Sequence, residues 1–282
     1  MISIIIPCHN EENYIEACLN SILLQINLPP HHHVQIIVIA NACTDQTVIC
    51  AKSLAEKFKN NGFSLTIIDT PEPGKTNAIN LGERIAIFDK RLYLDADVVI
   101  SDTLLAELAA VLDDISPVYA SGTIKIPKSK SLVTQAYARI WENLPFVKFD
   151  VPGIGLYALN KAARERWGLF PKVYSDDRFV RLNFHYGERK KISATYFWPL
   201  PDGLLNLIKT RTRWSKGNFE LNTKYPDLIK NDARSNNMLG MLREFLRFPV
   251  SAAIFIAIYA IGTALSLKSK NKEDFEWLRG RG

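Results

Sequence analysis

Four short apolar runs, each followed by a polar break and a segment at helical spacing, constrain this chain more than any other feature. Ile2-Ser3-Ile4-Ile5-Ile6-Pro7, Val34 to Ala40, Ser64 to Asp69 and the run that enters Asp95 read as buried strands. Between them, Tyr14, Ile15, Cys18, Leu19, Ile22 and Leu23 fall on one helical face, and Gln46 to Lys59 and Thr76 to Phe88 read as two further helices. Alternation at this spacing implies right-handed βαβ units around a largely parallel sheet. Pro7 is expected to end the first strand, because it brings no N–H to a ladder. Asn10 is expected to cap the next helix, with Glu11 and Glu12 in its first turn. Ligands of such sheets bind beyond the carboxyl ends of the strands. Pro7, Asn41, Asp69 and Asp95 all fall on that rim.

The stretch Arg91-Leu92-Tyr93-Leu94-Asp95-Ala96-Asp97-Val98-Val99 carries two carboxylates one residue apart at a strand end. In an extended chain residues i and i+2 share a face, so both can converge on one hard cation. Mg²⁺ keeps most of its waters and takes one or two protein carboxylates plus phosphate oxygens. The plainer reading is a solvated turn after an edge strand.

Beyond this point the pattern loosens. Asp102 to Asp114 and Leu132 to Asn143 look helical, while Val118 to Ile126, Leu156 to Leu159 and Lys191 to Trp198 look like strands. Ser175-Asp176-Asp177 reads as a capped helix start with two acids in its first turn. From Gly203 the character changes. Met238 to Phe248 has the pattern of an interfacial helix. Val250 to Leu267 then holds no charge over 18 residues, about 27 Å of helix, at the short end for a bilayer span. Its place beyond an α/β unit favours membrane association over a core helix. Basic residues flank both ends, so orientation stays open. The domain organisation expected is a catalytic α/β domain over 1–202, amphipathic interfacial helices over 203–248, a membrane segment over 249–267 and a basic tail over 268–282.

Composition narrows the partners. A formal charge of +6 favours an anionic partner. No Lys/Arg run exceeds three and no repeated basic–aromatic interleaving occurs, which argues against nucleic acid. Four cysteines without a Cys-x-x-Cys pair fit a reducing compartment. The chain opens on a strand without a basic n-region, so no signal peptide is expected. His31-His32-His33 read as a solvated loop.

Five motifs in order, Ile4 to Glu12, Asn41-Ala42-Cys43-Thr44-Asp45, Gly74-Lys75-Thr76-Asn77-Ala78, Leu94-Asp95-Ala96-Asp97 and Ser175-Asp176-Asp177, together resemble family 2 glycosyltransferases of the GT-A fold across roughly residues 1–200. The resemblance implies inverting transfer of a sugar from a nucleotide-sugar (UDP- or GDP-linked) to an acceptor hydroxyl, assisted by Mg²⁺ or Mn²⁺. It implies Asp97 as metal ligand, with Asp95 helping through the metal or the ribose. Pro7, His9 and Glu11 would cradle the nucleoside, and Lys75 would lie near the donor. Asn41 departs from the family's usual aspartate; its carbonyl could still accept a proton from a base while its NH₂ donates, so a uridine nucleotide is not required. Thr210-Arg211-Thr212-Arg213-Trp214 resembles the Gln-x-x-Arg-Trp motif of membrane-bound members, with threonine for glutamine. Arg213 could meet the diphosphate and Trp214 could stack on a sugar; a basic interfacial helix with an aromatic anchor explains them too. Asp177 falls at the family's catalytic aspartate and Asp176 beside it. Adjacent acids repel, which suits one of them to proton transfer.

The resemblance therefore implies an enzyme at the cytoplasmic face of an inner or plasma membrane, acting on a cell-surface glycan or lipid-linked acceptor. Two alternatives stay open: a polyprenyl-phosphate sugar synthase, and a non-catalytic membrane-bound partner that retains the fold. A nucleotidyltransferase lacks support, since no Gly-rich phosphate loop follows the first strand.

Overall fold

The computed structural model describes residues 1–29, 33–232 and 238–268. His31 and His32 of the expected histidine loop, and the expected basic tail after Lys268, lie outside the described residues. The strands are β1 (Ile2–Cys8), β2 (Val34–Asn41), β3 (Ser64–Thr70), β4 (Arg91–Leu94), β5 (Val99–Ile100), β6 (Tyr119–Lys125), β7 (Leu156–Leu159) and β8 (Arg189–Phe197). They form one sheet in the order β3-β2-β1-β4-β7-β6-β8-β5. The first helices are α1 (Ile15–Leu23), α2 (Thr47–Ser53), α3 (Ala55–Asn60), α4 (Lys75–Ile85) and α5 (Leu104–Val111). Next come α6 (Leu132–Trp141), α7 (Pro145–Lys148), α8 (Lys161–Arg164) and α9 (Asp176–Leu182). The last are α10 (Leu204–Lys224), α11 (Pro226–Ile229), α12 (Met238–Arg247) and α13 (Pro249–Lys268).

The chain divides into two compact units that interleave in sequence. One comprises Met1–Thr123, Gly153–Lys172 and Gly187–Trp198; the other comprises Ile124–Pro152, Val173–Tyr186 and Pro199–Gly282.

In the first unit β1 and β2 are buried along their whole length, as near-continuous apolar strands with both faces covered must be. β1 pairs in parallel with β2 (Ile4↔Ile36) and with β4 (Ile4↔Leu92), and β2 with β3. The expected parallel sheet is therefore present from β3 to β4. β7 then pairs antiparallel to β4 and to β6, and β5 antiparallel to β8. Side-chain periodicity does not encode strand direction, so the antiparallel half was not readable from spacing. Pro7 does not end β1, which runs on to Cys8 against β2. The β4 ladder stops at Ile5↔Tyr93, so Pro7 interrupts no bond on that side. Tyr93 on β4 stacks on Tyr157 of β7 at 4.7 Å, and Tyr157 on Tyr119 of β6 at 6.1 Å, tying the two halves together.

In the second unit, α6 is capped by Ser131, whose side chain accepts from Thr134 N–H at 3.3 Å. Thr134 Oγ1 accepts from Gly203 N–H at 2.9 Å, which anchors the start of α10. α13 packs along α10 and α6, with Tyr137 of α6 against Phe255 at 5.0 Å.

Candidate active site

The rim of the first unit is built from loops that follow β1, β2 and β4. After β1 the chain turns through Asn10 at φ 55°, a conformation asparagine tolerates. Asn10 is not a helix cap: its Oδ1 accepts from Thr44 N–H at 2.7 Å, and α1 starts only at Ile15. The Glu11 carbonyl instead closes the turn, accepting from Tyr14 and Ile15 N–H. Thr47 Oγ1 accepts from Glu11 N–H at 2.7 Å, the Asp45 carboxylate from Glu12 N–H at 3.1 Å, and Glu12 Oε2 from Gln46 N–H at 2.9 Å. His9 Nδ1 donates to the Asn41 carbonyl at 2.7 Å, which fixes that proton on Nδ1. The loops carrying His9 and Glu11 are thus zipped to the loop after β2.

Asn41, fully buried at the end of β2, commits its carboxamide internally. Its Nδ2 donates to the carbonyls of Glu72 at 2.7 Å and Gly74 at 3.1 Å, and its Oδ1 accepts from Gly74 N–H at 2.9 Å. Both amide protons are used. Gly74, at φ 123°, is followed at once by Lys75, the first residue of α4. Asn41 therefore holds the segment that delivers Lys75. The Lys75 ammonium lies 2.8 Å from Asp95 Oδ1.

β4 ends at Leu94, so the two acids sit on a turn and not on an extended strand. The Asp95 carbonyl accepts from Val98 N–H at 3.1 Å, and Asp95 N–H donates to Gly155 O at 2.8 Å. Both aspartates are half-buried. Their field is felt nearby: burial, then the charges of Asp97, Asp95 and Glu11, push the Cys18 thiol well up. The Cys8 thiol is raised first by burial, then by Cys18, Cys43, Glu11 and Asp95. No group of three or more His, Cys, Asp or Glu converges as a closed metal cage would require among the described residues. Two carboxylates in a negative field suit a hard cation that completes its shell with water and phosphate, and do not suit a closed zinc site.

The second unit holds the remaining candidates. Asp176 is buried and Asp177 half-buried at the start of α9; Asp177 Oδ1 accepts from Arg178 N–H at 2.7 Å. Ser175 stands at the N-cap position but its side chain makes no capping bond. It packs instead on Gly217 of α10, where a Cβ would come within 2.1 Å of its Oγ. Tyr174 N–H donates to Glu220 at 2.9 Å, and Arg178 donates to Asn218 O at 3.2 Å and Asn222 at 3.1 Å. Arg178 pairs with Asp232 at 2.9 Å, and Arg181 with Asp150 at 3.0 Å and with Asp232. α9 is thus clamped along the C-terminal half of α10, whose preceding turn carries Arg213 and Trp214, both half-buried. Thr210, in the glutamine's place, is buried, and its hydroxyl has no hydrogen-bond partner among the described residues.

The structure thus gathers Pro7, His9, Glu11, Asn41, Lys75, Asp95 and Asp97 in the first unit, and Asp176, Asp177, Arg213 and Trp214 in the second. Sequence reasoning missed the supports: Asp45 and Thr47 under Glu11, and Asp150 and Asp232 under α9. Asp45-Gln46-Thr47 did carry a signal, an Asx-turn pattern in which Asp45 Oδ1 accepts from Thr47 N–H and Oγ1. Asp150 and Asp232 carried none, being 31 and 51 residues from Arg181.

The model of glycosyl transferase family 2 matches residues 3–155. The poly-beta-1,6-N-acetyl-D-glucosamine synthase of Staphylococcus epidermidis is 33% identical over 234 residues, covering 78% of this chain and 55% of that protein. The poly(ribitol-phosphate) beta-N-acetylglucosaminyltransferase TarS of Staphylococcus aureus is 28% identical over 113 residues, covering 40% of this chain and 19% of its own. The chain thus spans about half the length of the synthase it matches. Among solved structures, a mannosyltransferase from Pyrobaculum calidifontis in complex with GDP-Man and Mn²⁺ aligns with TM-score 0.60 and 21% identity over 95% of this chain and 79% of that one. S. aureus TarS 1–349 in complex with UDP aligns with TM-score 0.52 and 15% identity over 99% and 94%. At these identities the structural likeness speaks for the fold.

Proposed function

Because the chain belongs to glycosyl transferase family 2, we propose that it moves a sugar from a nucleotide-sugar to an acceptor hydroxyl of a cell-surface glycan or glycolipid, with inversion. The observation that carries this reading is the carboxylate turn at the end of β4, with Lys75 beside it and His9 and Glu11 on the same rim. Relatives named as a poly-beta-1,6-N-acetyl-D-glucosamine synthase and a poly(ribitol-phosphate) beta-N-acetylglucosaminyltransferase support a polymeric glycan or polyol-phosphate acceptor. Neighbours solved with GDP-Man and Mn²⁺ and with UDP support the donor class and a divalent metal.

On this reading the first unit binds the donor. Asp97 would hold a Mg²⁺ or Mn²⁺, with Asp95 helping, and the cation when bound would neutralise charge on the diphosphate leaving group. The Lys75–Asp95 pair is partly exposed, with side chains 25% and 32% accessible. Such pairs contribute about 0–1 kcal/mol, so Lys75 can turn to the diphosphate at little cost. His9, Glu11 and Pro7 line the nucleoside side of the rim. Asn41 shapes the rim through the 72–74 loop. The second unit offers Arg213 as a cation suited to phosphate and Trp214 as an aromatic face suited to a sugar.

The acceptor oxygen bonds to the anomeric carbon as the bond from that carbon to the diphosphate breaks. The electron pair leaves with the nucleoside diphosphate, and the acceptor proton passes to Asp177. Asp176 lies buried beside it in the first turn of α9. α12 and α13 keep the protein at the cytoplasmic face of an inner or plasma membrane: among the described residues, Pro249–Lys268 is the one helix long and apolar enough to cross a bilayer.

Thermal melts with UDP, GDP and their sugar conjugates, with and without Mn²⁺, test the donor site. One nucleotide family should raise the melting temperature in a Mn²⁺-dependent way, and Asp97→Asn should lose that rise while keeping its own unliganded melt. No shift with any nucleotide in Mn²⁺ would defeat the reading.

A further inference from the structure

α13 is apolar on every side, and its few small polar residues lie on or beside the packed face. Its small polar residues turn inward: Ser251 and Ser266 are buried, and Thr263 Oγ1 meets Ser215 Oγ of α10 at 3.4 Å. Five of its seven large aliphatic residues turn outward: Val250, Ile256, Ile261, Leu265 and Leu267 are exposed, while Ile254 is half-buried and Ile258 buried. A water-facing helix has the opposite arrangement, and small residues at a helix–helix seam with bulky ones outside is the pattern of a lipid-facing helix.

Three further observations decide how it faces lipid. First, α13 is packed along its length: Ser251, Phe255, Ile258, Gly262 and Ser266 are buried in one stripe on α6 and α10. Second, its middle touches charged residues. A Cβ at Gly262 would lie 2.6 Å from Arg211 Cγ and 3.2 Å from Thr212 N, and the Arg211 guanidinium stacks on the Tyr259 ring at 3.8 Å. If α13 crossed a bilayer, Arg211, Arg213 and Lys216 of α10 would be carried to membrane depth beside it, where charged side chains are costly. Third, α12 leads into α13 with Leu242, Arg243, Leu246 and Arg247 exposed together, and Lys268 is exposed at the far end. Apolar residues edged by cations at both ends fit the boundary of an anionic leaflet.

We propose that α12 and α13 form a monotopic mount that lies in the plane of one anionic leaflet, and that α13 does not span the bilayer. The inference rests on the membrane contact proposed above and fixes its geometry. It also keeps Arg213 and Trp214, one turn from the Gly262 seam, at the water side of the interface.

Single cysteines at Val250, Ile256, Ile261 and Leu265, in a background with Cys43→Ser and Cys50→Ser, would be labelled with an environment-sensitive fluorophore. The full chain is then mixed with vesicles whose lipids carry bromine at shallow or deep acyl positions. All four probes should be quenched most by the same shallow bromine. Retention on phosphatidylglycerol-containing vesicles should exceed that on pure phosphatidylcholine by about 10-fold or more, and Arg243→Gln with Arg247→Gln should remove most of the difference. A depth profile with Val250 and Leu265 near opposite surfaces and the middle probes deepest would overturn the in-plane mount and leave membrane contact standing. Unquenched probes on a chain that stays off vesicles as a monomer would defeat membrane contact itself. A stable dimer with protected probes and no lipid uptake would assign the face to a second copy and overturn the proposal.

Discussion

Asn41 stands where an aspartate would have no proton to offer the carbonyls of Glu72 and Gly74, and where no water reaches it. Asn41→Asp should therefore destabilise the protein by about 2–4 kcal/mol, the order expected when a buried polar group loses its partners. It should also weaken donor binding through the displaced 72–74 loop and Lys75. Denaturant unfolding beside nucleotide titration checks this: an aspartate variant of unchanged stability with tighter uridine-nucleotide binding would make position 41 a base reader and not a latch. The limits of sequence reading show clearly at this residue. That the strand stops at Asp95 was legible, because an apolar run leads straight into paired acids. The role of Asn41 was not, because its partners lie 31 and 33 residues downstream in a loop with no periodicity. Ser175 failed as a cap for a similar reason, since Gly217 drew its side chain from another helix.

Elements with long apolar periods were the most legible. β2, β3, β7 and α12 fall within a residue or so of where their patterns put them, while the helix read over Gln46 to Lys59 breaks into α2 and α3 at Leu54. Strand direction was hidden, and so was what holds short strands. β8 is held to α5 by Glu107, whose Oε2 accepts from Ser193 N–H at 3.0 Å, Ser193 Oγ at 2.8 Å and Ala194 N–H at 3.0 Å. Burial alone would raise the Glu107 carboxyl, but hydrogen bonds from Ser193, Ala194 and Thr103 outweigh it and hold it below the ordinary glutamate range. A depressed folded-state pKa gives stability that is present above the unfolded value and lost as pH falls through the folded one. Melting temperature should therefore decline from about pH 5 to about pH 3 more steeply in the wild type than in Glu107→Gln. Parallel profiles would remove Glu107 as a contributor.

At the scale of the whole molecule, the chain forms two units that interleave in sequence, and the proposed mechanism assigns donor binding to groups of the first and proton transfer to an acid of the second. Donor-side groups stand on the parallel half of a sheet, and the acid pair stands on a helix clamped by buried ion pairs. The parallel half was readable from alternation alone. The second unit was not, because its three segments come from distant parts of the chain and meet through charged residues such as Arg181, Asp150 and Asp232. Removing one partner of a buried pair costs about 3–5 kcal/mol. Asp150→Ala should thus lower stability by that order in a urea unfolding curve, and a loss below about 1 kcal/mol would show that Asp232 alone suffices for Arg181. The central claim is that binding belongs to one set of residues and proton transfer to another. Asp177→Asn keeps the shape and removes the proton acceptor, and general base catalysis contributes about 10²–10⁴-fold. The direct measurement is the rate of labelled-sugar transfer to acceptor in wild type and Asp177→Asn, with donor affinity measured on the same samples. The account predicts a fall in transfer of that order at nearly unchanged donor affinity; transfer at close to the wild-type rate, or lost donor binding, would contradict it.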